Sequence, residues 1–549
     1  MQQLRISKPT LTVMLVYIVL QMVWRRPGSI RWLWSLWVAL LGVIYSAIPN
    51  HSDQFDADYI ADRMLHGARL YVDIVDMNWP GEPLIHMLAC WIPYGVFYAW
   101  RVVDFGVMLV ATLCLASIFA GEWDALTGHI VKFFFPMFYL SLGSVMPGQR
   151  DMLIANMLFV VAWFHLRAWR DNRLMLQVPV GLLIGVATLI KPTAAPVGLL
   201  LVLHSWLACA QPHKLRSIAL NALVAGSVAI TTVAVGFLTI HLLGTPWLAI
   251  WNCCVVYNSA TQYLHGASGG DMAKNFVTYL FDATKLLIPF IAIGTVRLFT
   301  GLRHGIATRC LVPLLLLMGF GNFWLQGRGF TWHLSIFWTT LMAVACLGIA
   351  QVFCWAKEKK FRLLGVAGLL LLGALSIRKL HNQLPILRVI AGQKTTFDLM
   401  TNRIDIAGTA DVLGLARTWA PADHNVLYVT FVPSAAMQLS RWVSPTRFYY
   451  PFMLTNANAL LPFGEQWLHD FEQDVTTRPP AMCILDTETY AELQRTNPRV
   501  VLILDRLLSN YAEKGRVDYV NKYISTSPPQ ALVYVPRDSA SARLSESLL

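Results

Sequence analysis

Apolar runs of roughly 15 to 20 residues recur along the chain between residues 9 and 377, separated by short polar stretches. As a helix rising 1.5 Å per residue, each run is long enough to cross roughly 30 Å of hydrocarbon. About twelve such crossings fit into this part of the chain. Beyond residue 377 the pattern changes to ordinary polar content. Short β-branched runs at 425–431, 482–485, 500–504 and 531–535 alternate there with helix-like stretches, which predicts a small α/β domain. The expected fold is therefore a polytopic α-helical membrane domain over residues 1–379, with a polar outer loop at 49–83, followed by a small soluble α/β domain over residues 380–549.

Composition agrees with this pattern. Of 549 residues, 56% are hydrophobic and 13% charged, and the mean hydropathy is +0.52, which marks an integral membrane protein. The first apolar run, 9–23, follows Arg5 and Lys8 but has no small-residue cleavage site before Arg25-Arg26-Pro27-Gly28, so a retained helix is expected there rather than a signal peptide. The formal net charge of +12 does not indicate nucleic acid, because the basic residues lie in short loops and not in one domain with interleaved aromatics. Nine cysteines contain no CxxC pair, which argues against a disulfide framework and a zinc site alike.

Loop charge orders the crossings, since Lys and Arg concentrate on the cytoplasmic side. The basic loops at 25–31, 167–173, 213–216, 297–309 and 357–362 are assigned inside. The intervening polar segments then fall outside: the 49–83 loop, Gly148-Gln149-Arg150-Asp151, Lys191-Pro192-Thr193, the 257–271 stretch and Gln326-Gly327-Arg328-Gly329-Phe330. This parity requires residues 84–120, where Arg101 and Asp104 split two apolar runs, to make one net crossing. The last run, 363–377, delivers the C-terminal domain to the same outer face.

The outer loop opens with His51-Ser52-Asp53-Gln54-Phe55-Asp56, and residues 59–67 continue as an amphipathic helix ended by Gly67. An Asp just before a helix is commonly an N-cap, so spacing alone does not distinguish a cap from a catalytic acid. Further on come Tyr59-Ile60-Ala61, Leu65-His66-Gly67, Tyr71-Val72-Asp73 and the turn Trp79-Pro80-Gly81-Glu82-Pro83. An Asp followed by these elements in this order resembles the first outer loop of the GT-C superfamily of multi-spanning glycosyltransferases. That superfamily includes bacterial relatives of protein mannosyltransferases and the lipid A aminoarabinose transferases. Residues 181–192 (Gly-Leu-Leu-Ile-Gly-Val-Ala-Thr-Leu-Ile-Lys-Pro), the Gln149-Arg150-Asp151 turn, and Gln326-Gly327-Arg328-Gly329-Phe330 with His333 also resemble bacterial members.

The resemblance implies a sugar donor carried on a polyprenyl phosphate or diphosphate and transfer with inversion at the outer face. The acceptor is a glycan, a lipid or a protein. Asp53 falls at the position of the loop-one catalytic acid. Gln54 stands where many relatives have a second acid, which leaves Asp56 or Asp151 to supply any second carboxylate. A divalent cation stays open, because two acids near a phosphate can bind one or work without it. In an inverting transfer a carboxylate takes the acceptor's proton, the role expected of Asp53, and the departing lipid phosphate needs cationic donors.

Arg150, Lys191, Arg328 and His333 are the candidates for that charge, with Glu82 as a further substrate contact. Each has a plainer alternative. Lys191 would cost about 2.5 to 3.5 kcal/mol at the bilayer centre and is expected near a boundary, where it could simply snorkel. Arg150 could pair with Asp151, Glu82 could be a solvated loop residue, and His333 could be interfacial. Trp247, Trp251, Tyr257 and Tyr263 read first as an interfacial aromatic belt. Residues 441–451, rich in Arg and Tyr, suit either a ligand or packing against the membrane domain.

The C-terminal domain has no Gly-rich phosphate loop, consistent with a lipid-linked donor instead of a nucleotide sugar. The expected location is a bacterial inner membrane with the C-terminal domain outside. A transporter or flippase of lipid-linked sugars is the main alternative. It predicts paired repeat halves and charges within spans, and neither is visible in the sequence. A non-catalytic scaffold relative is the third class, kept open by Gln54 and by a turn with no lysine after Glu82.

Overall fold

The computed structural model describes residues 29–46, 52–90, 99–142, 146–208, 215–260, 268–285, 287–300, 306–368, 425–430, 440–449, 452–455, 461–518 and 530–537, with a few isolated positions besides. The expected span 9–23, the basic loop at 213–214, Tyr263 and the tail after 537 lie outside the described residues. The chain divides into two compact units. One draws on Met1–Pro49, Phe97–Phe237 and Gly266–Gln393, the other on Asn50–Val96, Leu238–His265 and Lys394–Leu549.

The first unit is helical. Among the described residues of the chain, five helices are long and apolar enough to cross a membrane: Ala99–Glu122, Arg150–Asp171, Leu215–Leu242, Arg309–Gln326 and Thr331–Lys357. Shorter apolar helices cover Trp34–Ser46, Leu174–Ile190, Pro192–Leu207 and Ile288–Phe299. The chain is a multi-pass membrane protein. In Arg150–Asp171 and Thr331–Lys357 most of the apolar stretch is buried and these helices form the centre of this unit, whereas most of Leu215–Leu242 is not buried, with Leu223, Ile230 and Val235 turned outward.

Small residues set how closely these helices approach. In lipid the apolar side chains gain nothing by leaving solvent, so helix association relies on close van der Waals packing. A side-chain carbon added at Gly294 would collide with the Val344 carbonyl, and one at Gly348 with the Phe290 carbonyl. The helices Ile288–Phe299 and Ser335–Lys357 therefore touch backbone to backbone. Gly181 and Gly185, four residues apart, do the same for Gln177–Ile190 against Leu215–Leu242, meeting Ala225 and Thr232. These two glycines belong to the segment that carried part of the sequence resemblance.

The second unit contains a four-stranded sheet of order β1-β2-β4-β3, with β1 Val426–Val429, β2 Met482–Asp486, β3 Tyr511–Asp518 and β4 Gln530–Pro536. β1 and β2 are parallel, and β4 runs antiparallel to both β2 and β3. Residues 500–504, expected as a strand, instead lie inside the helix Pro498–Leu508. Val500, Val501 and Leu504 are buried while Leu502 is 63% exposed, a one-face helical spacing that a short apolar run conceals. Conversely β3 was missed, because Tyr-Ala-Glu-Lys-Gly-Arg-Val-Asp is a charged edge strand with little apolar signal.

This unit also includes the 50–96 and 238–265 segments. The Val75 amide donates to the Arg447 carbonyl at 2.9 Å. The Ser444 amide donates to the Tyr59 hydroxyl at 3.1 Å, and the Tyr59 and Tyr449 rings lie 4.9 Å apart. Burial pushes the Tyr59 hydroxyl up to about 12, so it stays neutral. The Arg447 guanidinium reaches Asp470 at 2.9 Å and Asp474 at 3.1 Å. Residues 441–449 thus pack against the acidic-loop segment. Tyr257, expected in an aromatic belt, is fully buried with its ring 5.6 Å from that of Trp467, whereas Trp247 and Trp251 are exposed.

Replacing Gly348 by Leu inserts a side chain where backbone already lies. Overpacking of this kind costs about 3 kcal/mol at the upper end of its usual range, so Gly348→Leu, and already Gly348→Ala, should lower the melting temperature of the detergent-solubilised protein, whereas Gly321→Ala, where an added carbon meets nothing within 4 Å, should leave it nearly unchanged.

Candidate functional site

In the first unit the helix Arg150–Asp171 begins at an N-terminal turn held from below. Gly148 has φ +82, a left-handed conformation that suits glycine. The Arg101 Nη1 donates to the Pro147 carbonyl at 2.6 Å, and the Trp100 Nε1 to the Gly148 carbonyl at 2.8 Å. Asp104 accepts from the Tyr139 hydroxyl at 2.9 Å and from the Tyr45 hydroxyl, and Arg101 also reaches the Tyr45 oxygen at 3.2 Å. Arg101 and Asp104, which split the apolar pattern of the sequence, are both buried in the first two turns of the continuous helix Ala99–Glu122. They clamp the turn that launches Arg150 and Asp151.

Asp151, 2% exposed, accepts two hydrogen bonds from the Lys191 ammonium at 3.0 and 2.7 Å. The Gln326 amide adds a longer contact at 3.4 Å. Lys191 caps the C-terminal end of Gln177–Ile190 in an extended conformation, where the helix would otherwise leave its last carbonyls near an apolar surface. Arg328 is flanked by Gly327 and Gly329, at φ +62 and +65, so two consecutive-but-one left-handed residues turn the chain sharply about it. His333 follows in the short turn Thr331–Leu334 and is 3% exposed. Its carbonyl accepts from the Asn322 amide at 3.2 Å, and its Nδ1 is buried with no hydrogen-bond partner among the described residues. Lys191, Arg150 and Arg328 all lie within electrostatic reach of the imidazole.

The structure thus brings Arg150, Asp151, Lys191, Arg328 and His333 together. It places Asp53, Asp56 and Glu82 in the other unit. Asp53 and Asp56 belong to the helix Ser52–Leu65, which begins earlier than the expected 59–67 helix, and both are half-buried. Asp53 sits in its first turn, where the helix dipole favours a carboxylate. Glu82, expected as either a loop glutamate or a substrate contact, is 7% exposed in the first turn of Gly81–Cys90. Between these helices the His86 Nδ1 meets the Asp58 Oδ1 at 2.6 Å, and the Asn50 amide donates to the Asp58 Oδ2 at 3.1 Å. These three buried residues were missed in the sequence, where 28 residues separate Asp58 from His86.

Across its length the chain is similar to ArnT from Cupriavidus metallidurans solved bound to undecaprenyl phosphate, with a TM-score of 0.57 and 13% identity over 92% of this chain and 98% of that one. The apo state of the same protein gives a TM-score of 0.56 and 13% identity over 91% and 97%. The chain shares its fold with this protein. An archaeal oligosaccharyltransferase, AglB from Archaeoglobus fulgidus in complex with an inhibitory peptide and a dolichol-phosphate, matches at a TM-score of 0.49 with 10% identity over 92% of this chain and 76% of that one. No family model matches the sequence, and no curated protein does.

Two chemical capacities stand out on this fold. Around His333 the first unit gathers Arg150, Lys191 and Arg328, cations suited to an anion. Asp151 is bonded to Lys191, which fits a residue that holds a lysine in place and not a proton acceptor. The second unit carries half-buried acids at helix starts. Among the described residues there is no group of three or more His, Cys, Asp or Glu side chains placed to hold a metal ion.

Removing one partner of a buried ion pair leaves the other charge uncompensated, at a cost of about 3 to 5 kcal/mol. Lys191→Met should therefore lower the melting temperature sharply, and adding Asp151→Asn should restore most of it, as read by thermal unfolding of the purified protein.

Proposed function

We propose that the chain is an inverting glycosyltransferase that moves a sugar from a polyprenyl-phosphate-type carrier to an acceptor at the outer face of a bacterial inner membrane. The observation that carries this reading is the convergence of Arg150, Lys191 and Arg328 on the buried His333, on a fold shared with a protein solved with undecaprenyl phosphate. A lipid phosphate is the anion that such a group, in a chain of membrane-crossing helices, is suited to meet.

In this reading Asp53 is the base. Its carboxylate takes the proton of the acceptor's hydroxyl or amine as that atom bonds to the anomeric carbon. The bond from that carbon to the carrier phosphate breaks in the same displacement, and the configuration inverts. Negative charge grows on the leaving phosphate oxygen, where fixed cationic donors stabilise the transition state more than the ground state. Arg150 and Arg328 offer planar donor forks for phosphate oxygens. Lys191, held by Asp151, supplies a point charge, and His333 a further donor. Asp56 and Glu82 are the remaining carboxylates open to a second acidic role.

The test is mass spectrometry of envelope glycolipids, polysaccharides and glycoproteins from cells carrying the wild type, a deletion or Asp53→Asn at matched membrane levels. One sugar modification should disappear in the deletion and fall at least a hundredfold in Asp53→Asn, in keeping with loss of a positioned base. Full transfer by Asp53→Asn would sink the assignment of the base. A modification-free wild type would sink the reading as a whole.

A further inference from the structure

The helices Ser52–Leu65 and Gly81–Cys90 each carry one acidic residue in their first turn, Asp53 and Glu82. What relates the two turns is the bond between His86 and Asp58, at 2.6 Å, with His86 0% and Asp58 5% exposed. A second contact gives the direction. Cys90, one turn beyond His86, lies within electrostatic reach of Asp58 and of Asp62, one turn beyond Asp58. Moving along both helices in the same sense keeps their residues paired, so the helices run parallel. One turn back from each member of the bonded pair stand Gln54 and Glu82, about 6 Å along each axis. Gln54 is 1% and Glu82 7% exposed, as residues facing a neighbouring helix should be.

This register has a chemical consequence. Gln54 stands where the resemblance expects a second acid beside Asp53, and an amide cannot supply a carboxylate. Glu82, level with Gln54 on the adjacent helix, brings one to the same place. We propose, building on the glycosyltransferase reading above, that Asp58 and His86 are a positioning pair whose bond fixes this parallel register, so that Glu82 serves as the second carboxylate beside Asp53. Asn50 supports the pair by donating to the other Asp58 oxygen. With Nδ1 committed to a carboxylate, the imidazole is held in one tautomer and one orientation. Parallel helices joined by 15 residues have no tight turn to set their register, so a specific polar bond between them takes over that task.

The experiment has two readouts on the full-length protein in membranes. The first is position. In the Gln54→Cys/Glu82→Cys variant, mild oxidation should give a 54–82 disulfide, found by peptide mass spectrometry, because such bonds need Cα atoms within about 7 Å. A link from position 54 to the native Cys90 instead would report the opposite register and overturn the proposal. The second is transfer of the sugar modification that the deletion removes. Asp58→Asn, His86→Gln and Glu82→Gln should each lower it at least tenfold per folded protein in the membrane, and the exchanged pair Asp58→His/His86→Asp should regain a large part.

Wild-type transfer by His86→Gln or Asp58→Asn would overturn the proposal. So would a loss that tracks loss of folded protein and is not regained on exchange. Asp53→Asn in the same assay separates the two levels. If it keeps transfer, the base assignment of the preceding section fails; if it loses transfer while the His86 and Glu82 variants keep it, only the positioning inference fails.

Discussion

A guanidinium and a carboxylate inside an apolar helix bundle are tolerable only because they hold each other's surroundings together, and Arg101 with Asp104 does this at the centre of the first unit. On insertion scales either charge alone costs about 2.5 to 3.5 kcal/mol in a membrane helix. Here the charge is distributed over two tyrosine hydroxyls and a backbone carbonyl. The clamp joins the helices Ser29–Ser46, Ala99–Glu122 and Ala125–Ser141 to the turn that starts Arg150–Asp171. The position of Arg150, and through Asp151 that of Lys191, follows from it.

The same economy governs other charged residues of this unit. Glu122 is paired with Arg170, and Arg297 with Asp124 and the Thr127 hydroxyl. Asp124 meanwhile caps the helix Ala125–Ser141 by accepting from the Thr127 amide. These pairs lie at helix ends, and in each one member, Arg170 or Asp124, reaches outward while its partner, Glu122 or Arg297, stays buried. The group around His333 differs in kind. Three cations lie within electrostatic reach of one buried imidazole, and this gathering of positive charge is what the proposed reading assigns to an anion.

Much of the architecture was legible in the sequence, because membrane helices announce themselves by length and apolarity, and β1, β2 and β4 by short apolar runs. The failures have physical causes. Residues 500–504 are too short a run for periodicity to separate helix from strand, and burial of Val500, Val501 and Leu504 decided it. Asp53 and Asp56 read as a loop because their polarity hides a helix whose buried face is Gln54, Phe55, Ala57 and Asp58. Of the site, the residue types and their grouping by loop were visible. The partners were not: Lys191 lies 40 residues from Asp151 and His86 28 from Asp58, and nothing in local spacing joins them.

The second unit is assembled from three stretches that lie far apart in the chain, 50–96, 238–265 and 394–549. Its acid-bearing helix is gripped at Tyr59 by Ser444, and the strand-like segment after it at Val75 by Arg447. A ribosome releases those gripping residues only after more than three hundred others have followed the helix out, so the acids near the start of the chain wait through most of synthesis for their final setting. Release of Ser444 and Arg447 is thereby the event that secures this helix, and a polypeptide stalled before them carries its acidic helix without the clasp.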